Sequence, residues 1–403
     1  MTSSRTVIIA GAGIGGLTAA LALERCGFRV IVFEQAERLQ ETGAGIQLSP
    51  NAARLLIDLG LGDRLRPHVV TPQAVRVLRA KNGREIVRIP LGEAAAQRYG
   101  APYWIIHRGD LQAALGAAVM PHVDISLKLG MRVEDFAAHP HGVTVSVRSS
   151  TGAWNEHGVA LIAADGLWSV ARARLGFGEP PRFSGRVAWR ALVPAADVPP
   201  EFREPLIHLW LGPDAHLVHY PVKGGKVINI VVITTDGWNG EGWSEPASRA
   251  DLLPRLTAAR WAPQARALIR LPDAWLKWAL FERRPLLSFA QDAVALLGDA
   301  AHPMLPFLAQ GGAMAIEDAV VAAQCLARRP GDAPAALKTY SAIRRGRTRR
   351  VQRQAARNGQ HYHLQGVSAM LRNAAMGVMG GQHLLGHYDW LYDWRPPADL
   401  SIA

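Results

Sequence analysis

Three glycines, Gly11, Gly13 and Gly16, stand at G-x-G-x-x-G spacing between a β-branched apolar run and a helical pattern. In that setting the first glycine permits a tight turn, the second lets a pyrophosphate approach the backbone, and the third lets helix pack on strand. The helix start, which includes Ile14 and Gly15, offers N–H donors to an anion. Glu34 closes the next apolar strand, where a carboxylate accepts a ribose hydroxyl. These residues together read as a dinucleotide site; the bland alternative is a glycine-rich turn that binds nothing.

NAD and FAD share that fingerprint, and the discriminating residues lie far downstream. Asp299, in Leu297-Gly298-Asp299-Ala300, ends another buried strand and would face the ribityl chain of a flavin. Gln310-Gly311-Gly312 then opens a helix whose N-terminus could stabilise negative charge at the flavin N1/O2 edge. A second group with chemical potential is His216-Leu217-Val218-His219-Tyr220. Strand alternation puts His216 and Tyr220 on one face and His219 on the other. A histidine titrating near neutrality suits a base that takes a phenolic proton, whereas the alternative is a half-exposed strand histidine.

The elements that must position these groups follow from periodicity. Thr6–Ala10, a helix to about Cys26 and Arg29–Glu34 make a βαβ unit whose helix begins at the carboxyl edge of a parallel sheet. Ser49 as N-cap and Pro50 open a second helix, Asn82-Gly83 marks a hairpin within 73–90, and a further helix opens at Asp110. Strands are expected at 123–129, 131–136, 143–148 and 159–164. Between about Phe183 and Phe281, strands at 187–193, 206–211, 216–222 and 226–233 are separated by tight turns, which predicts antiparallel meanders. A buried strand recurs at 293–297, and helices fill the chain from about Ala335.

The fold class is therefore α/β: a Rossmann-like cofactor domain, an inserted sheet-based substrate domain and C-terminal helices. The expected boundaries are 1–72, 98–180 and 285–330 for the discontinuous cofactor domain, 73–97 and 181–284 for the substrate domain, and 331–403 for the helical region. The length of 403 residues, with 49% hydrophobic and 19% charged, excludes a disordered or collagenous chain. Cys26 and Cys325 are isolated, which argues against a disulfide framework or a metal site and for a reducing, cytoplasmic setting. No apolar run is long enough for a membrane span.

The three glycine and aspartate motifs, with Asp165-Gly166-Leu167-Trp168-Ser169-Val170-Ala171-Arg172 as the middle one, resemble the fingerprints of the single-component flavoprotein aromatic hydroxylases of the 4-hydroxybenzoate hydroxylase family, of glutathione-reductase-type fold. Gly43-Ala44-Gly45-Ile46-Gln47-Leu48-Ser49-Pro50-Asn51 and Asp389-Trp390-Leu391-Tyr392 resemble its salicylate hydroxylase and 3-hydroxybenzoate 6-hydroxylase branch. The resemblance implies tightly but non-covalently bound FAD, held by Gly11, Gly13, Ile14, Gly15, Gly16, Glu34, Gln47, Arg108, Asp165, Asp299, Gly311 and Gly312. It implies NADH or NADPH as a transient co-substrate, with Asp165 linked to both cofactors, and it suggests a homodimer. It further implies hydroxylation of a small phenolic acid by O₂ through a C4a-hydroperoxyflavin, with His216 as base, Tyr220 holding the phenol, and Gln47 and Pro306 lining the pocket.

Several residues keep a second reading. Asp165 could simply cap the helix after it, and Arg108 could be a surface arginine. His302, next to Pro303, is read as shaping its loop. Pro306 stands where 3-hydroxybenzoate 6-hydroxylases often carry Gln, and Gln47 where some pyridine-ring hydroxylases of the branch carry His. The formal charge of +12, from 45 Lys+Arg against 33 Asp+Glu, suits anionic ligands but also nucleic acid. Arg344, Arg345, Arg347, Arg349, Arg350, Arg353 and Arg357 carry that case. Without interleaved aromatic residues they read as a solvated helix, so no nucleic-acid or membrane partner is expected. A hydroxylase or epoxidase of a bulkier polycyclic or isoprenoid substrate is the nearest alternative function.

Overall fold

Thr6–Ala10 is buried at every position, so this strand has no face for water and must lie inside a sheet. The computed structural model, which describes residues 5–39, 44–238, 240, 242–256 and 260–400, shows that sheet with six strands. Its order is Ala290–Gln291, Val294–Leu296, Ala160–Ala163, Thr6–Ala10, Arg29–Glu34, Ile125–Leu129, and all pairings are parallel except the outermost two-residue strand. Parallel pairing gathers the carboxyl ends of the four central strands at one edge. The helices Ile14–Arg25, Arg108–Val119 and Gly311–Arg328 contribute to the main apolar core. A three-stranded antiparallel meander, Arg132–His139, Gly142–Ser149 and Gly152–Gly158, packs Val143, Val145 and Val147 on the sheet's other face.

The expected α/β class is what the chain adopts. Two local expectations differ. Gly152–Gly158 forms a strand that the sequence pattern did not reveal, because its side chains are largely exposed and its partner strand supplies the burial. The helix expected from Asp110 begins two residues earlier, at Arg108, with Asp110 in its first turn.

A second sheet of eight strands has the order Ser244–Ser248, Ala274–Glu282, Arg182–Pro194, Val227–Thr235, Ala215–Val222, Leu206–Leu211, Ala74–Arg79, Glu85–Pro90. The three strands from 206 to 235 form the expected antiparallel meander, and Leu206–Leu211 pairs in parallel with Ala74–Arg79. One face of this sheet carries its own core of Trp189, Trp210, Leu217, Ile230, Val232, Trp261 and Trp275. The other face looks toward the cofactor edge of the first sheet.

The 30-residue helix Ala333–Tyr362 is opened by the Asp332 side chain accepting from the Ala335 N–H. Its arginine run departs from the solvated reading. Arg344 is fully buried, with Nε 2.7 Å from Asp318 Oδ1 and Nη1 2.6 Å from Glu317 Oε2. Arg347 donates to Glu317 and to the Trp390 and Leu391 carbonyls. The missing aromatic partners come from the tail: Trp394 lies against Arg344 and Arg347, and Trp390 against Arg350. Arg345, Arg349, Arg350, Arg353 and Arg357 remain exposed.

Candidate active site at the sheet edge

At the carboxyl ends of the parallel strands, Gly11 has φ +99°, and a Cβ there would stand 2.5 Å from the Ala164 carbonyl oxygen. A Cβ on Gly16 would lie 1.9 Å from the Gly11 carbonyl oxygen, so strand and helix meet without room for a methyl group. Gly13 is different, because a Cβ there would meet nothing within 4 Å. The helix that follows has no side-chain cap among the described residues, so its first N–H groups face that open space. Glu34 accepts from the Ala12 N–H at 2.7 Å and the Ala36 N–H at 2.9 Å, which fixes its carboxylate beside the turn.

The next strands bring the remaining acids to the same edge. Asp165 stands two residues past the end of Ala160–Ala163. Its Oδ2 accepts from the Ala171 N–H at 3.2 Å, while Ser169 takes the N-cap position and accepts from Arg172. The capping alternative is thus only partly the case: buried Oδ1 of Asp165 has no hydrogen-bond partner, and burial pushes this carboxyl above its usual range. Asp299 is exposed at the end of Val294–Leu296, and its Oδ1 would stand 4.0 Å from a Cβ on Gly311. Gly311–Arg328 starts there without a side-chain cap, and Gly312 sits under Ile46, where a Cβ would come within 2.6 Å. Arg108 is half-buried at the start of its helix, its N–H donating to the Ala44 carbonyl.

Gly45–Leu48 pairs with Trp104–His107 and carries Gln47 toward the second sheet; Gly43 lies outside the described residues. Ser49 occupies the expected N-cap position, but its hydroxyl does not cap. It donates to Asn51 Oδ1 at 2.6 Å and accepts from Gln310 Nε2 at 2.8 Å, and Asn51 reaches Glu317 at 2.7 Å. This buried network ties the strand to the helix at Gly311. The tail motif supports the same strand: Asp389 pairs with Arg98, and Tyr392 packs edge-on against Tyr99 and Tyr103. Tyr103 in turn donates to Gln47 Oε1 at 2.7 Å.

On the eight-stranded sheet, His216 and Tyr220 share the face expected. His216 is 2% exposed and packs against Phe307, Tyr362 and His363, with its Nδ1 2.7 Å from His363 Nε2. The half-exposed alternative is therefore overturned, since helix Ala333–Tyr362 and the Pro306–Leu308 turn cover the ring. Burial, with His363 and Arg186 beside it, pushes His216 well below 6.5, so the near-neutral titration expected from the sequence is not found and the ring is neutral at pH 7. Tyr220 lies against Gly45 and Gln47, and burial raises its hydroxyl to about 12, so it stays protonated. His219 faces the other way and stacks on His208 with centroids 4.4 Å apart. His302 is buried against Asp318, which fits a loop-shaping role. Pro306 begins the turn that carries Phe307.

These features fit a flavin dinucleotide: an open glycine backbone at an uncapped helix start, an acid closing the second strand, an orphaned carboxylate oxygen at Asp165, and an exposed acid beside a second uncapped helix. A family model described as FAD binding domain matches residues 4–355. The chain belongs to this family. Among curated relatives, the 3-hydroxybenzoate 6-hydroxylase of Klebsiella oxytoca is 36% identical, covering 98% of each chain. That of Polaromonas naphthalenivorans (strain CJ2) is 39% identical over 96% of each. A solved salicylate hydroxylase substrate complex superposes with TM-score 0.81 at 26% identity, covering 98% of this chain and 97% of the other. The family member described here is an FAD-dependent aromatic hydroxylase. Among the described residues no helix is long and apolar enough to cross a membrane.

Sequence reasoning missed His363, Tyr362, Phe307, Tyr103 and two arginines, Arg186 and Arg190. The helical tail gave no period-2 signal to connect it with the strand at His216, and only the tertiary packing brings them together. Arg190 falls inside the strand expected at 187–193 and Arg186 just before it, and nothing in the pattern marked their orphaned donors.

Proposed function

We propose that this flavoprotein hydroxylates a small phenolic aromatic acid of the 3-hydroxybenzoate or salicylate kind, with NADH or NADPH as electron donor and O₂ as oxidant. The observation that carries this reading is the shared face of His216 and Tyr220, closed by Phe307 and Tyr362 and set opposite the cofactor edge. Bound FAD supplies the redox and oxygen chemistry; Gly11, Gly13, Ile14, Gly15, Gly16, Glu34, Gln47, Arg108, Asp165, Asp299, Gly311 and Gly312 would hold it.

The chain's own residues handle the substrate. In the tautomer that carries its proton on Nδ1, His216 donates to His363 Nε2 and the lone pair on its Nε2 is free to take the phenolic proton. Removal of that proton raises the electron density of the ring at its ortho and para carbons, which an electrophilic oxygen needs. The Tyr220 hydroxyl, kept protonated by burial, is a donor to the resulting oxyanion. Phe307 and Tyr362, packed on the His216 ring, keep water from the base.

The experiment is a panel of hydroxybenzoates, hydroxypyridine acids, neutral phenols and bulkier polycyclic phenols, scored for NAD(P)H consumption and for a product one oxygen heavier. Coupled hydroxylation of a benzoate supports the reading. Peroxide as the sole product from every acid, or turnover confined to the bulky phenols, overturns it.

A further inference from the structure

The outer arginines of helix Ala333–Tyr362 have no work in the reaction above. Arg344, Val351 and Ala355 lie on the buried side of that helix. Arg349, Arg350, Arg353 and Arg357 recur at three- and four-residue spacing on its other side, where they are exposed. With His387 and Trp390 from the tail they line a cleft of about 790 Å³. None of its lining residues belongs to the sets assigned above to FAD or to the aromatic substrate.

The charges in this cleft are unanswered. Among the described residues no carboxylate pairs with any of the four, whereas Arg344 and Arg347 on the same helix are matched by Glu317 and Asp318. The tail acid Asp389 is taken by Arg98 and Tyr99. Arg349 with Arg353, Arg350 with Arg353, and Arg353 with Arg357 are like charges one turn apart, and each such pair opposes the helix. Trp390 gives the stripe a fixed wall, with the Arg350 guanidinium 3.8 Å from its ring centroid. Gly346 stands one turn before Arg349 and Arg350 and also lines the cleft. A glycine inside a helix is less stable there than any residue but proline, and a Cβ at Gly346 would meet nothing within 4 Å, so the missing side chain leaves the cleft open.

We propose that this cleft is a second ligand site, apart from the flavin site, that binds a compact anion carrying two or more phosphate groups. Guanidinium forks take phosphate oxygens in paired hydrogen bonds. One phosphate bridges arginines one turn apart. From Arg349 to Arg357 the stripe runs about 12 Å along the helix axis, so engaging all of it takes more than one phosphate. Arg350 occupies the Trp390 ring face on which a base would stack, which favours phosphates over a nucleic-acid strand. A soluble oligophosphate and a phosphorylated lipid headgroup share this chemistry. The site stands whether or not an aromatic acid is the substrate.

The test titrates the flavin-loaded protein at physiological salt with inorganic phosphate, tripolyphosphate, single-stranded DNA, and phosphatidylcholine vesicles with and without phosphatidylinositol bisphosphate. Tripolyphosphate should bind at least about tenfold tighter than inorganic phosphate and raise the melting temperature. The double variant Arg353→Gln/Arg357→Gln should lose about 10- to 100-fold of that affinity and the melting shift, with flavin content, anion-free melting and hydroxylation unchanged. Gly346→Gln, which fills the cleft without removing a charge, should weaken the anion while leaving the protein no less stable. Arginine-dependent binding of the doped vesicles but not of tripolyphosphate assigns the phosphates to a lipid headgroup, and the reverse assigns them to a soluble ligand; both uphold the site. Absence of arginine-dependent binding to either probe overturns it, as does tripolyphosphate bound no tighter than inorganic phosphate. Affinity for DNA that exceeds that for tripolyphosphate and grows with strand length would overturn it too, assigning the stripe to nucleic acid.

Discussion

Nδ1 of His216 stands 2.7 Å from Nε2 of His363, joining the second sheet to the end of the long C-terminal helix. The contact fixes which nitrogen of His216 faces the site and keeps the ring from turning. His363→Ala should lower kcat for hydroxylation about tenfold while KM changes less than about threefold, as expected for lost orientation rather than lost binding. The pH profile is the decisive readout. Removing His363 eliminates one of the groups that depress His216, so the acid limb of kcat should move to higher pH. His363→Gln, which keeps an acceptor for the Nδ1–H, should recover part of the rate. An unchanged profile in His363→Ala would make the contact purely a packing one.

The glycine turn separates cofactor binding from folding. Gly13→Ala places a methyl in open space, so the apoprotein melt should shift by less than about 2 °C while FAD affinity falls at least tenfold. Gly16→Ala collides with the Gly11 carbonyl and should lower both. Flavin titration alongside apoprotein melts distinguishes the two; equal effects of both variants would contradict the cradle.

Buried histidines set an acid limit. Burial first, then nearby arginines, lowers His208 to about 4 and His363 to about 3; burial first, then the neighbouring histidine and an arginine, carries His216 and His219 well below 6.5. The unfolded chain therefore binds protons that the folded one refuses as pH drops below about 6.5. Stability should be full above that pH and fall through the window down to about 4, at up to about 1.4 kcal/mol per pH unit for each such group. Denaturation at pH 7.5, 6 and 5 measures this slope. His219→Phe should flatten it, and an unaltered slope would show that the stacked pair does not contribute.

Asp318 tests the buried network behind the cofactor edge. Burial alone would raise its carboxyl, yet His302 and Arg344 against it hold it at about 2. Its contribution is present above about 3.8 and is lost as pH falls toward 2. Asp318→Asn leaves the buried Arg344 short of a partner and should cost about 3–5 kcal/mol at neutral pH. Replacing Asp318 and Arg344 together by Asn and Met should cost less than the single change; a double-mutant cycle by denaturation checks the sign.

Much of this was legible in the sequence because it is local. Thr6–Ala10, the glycine turn and Glu34 are set by runs of a few residues, and the shared face of His216 and Tyr220 by alternation alone. The pairing of His216 with His363 was not legible, since it depends on where a 30-residue helix ends against a strand far away in the chain. The same holds for Arg344. An arginine in a dense basic run gives no local sign of burial, and only the docking of Glu317 and Asp318 from the preceding helix supplies its counter-charges.

The most direct measurement is to supply the flavin-loaded protein with NAD(P)H, ¹⁸O₂ and 3-hydroxybenzoate or salicylate, and to weigh the product. The proposed activity gives a dihydroxylated ring carrying one ¹⁸O, coupled to NAD(P)H oxidation, and His216→Ala retains its flavin while forming at least about a hundredfold less. Peroxide alone from the wild type, or equal ring labelling by His216→Ala, would contradict it.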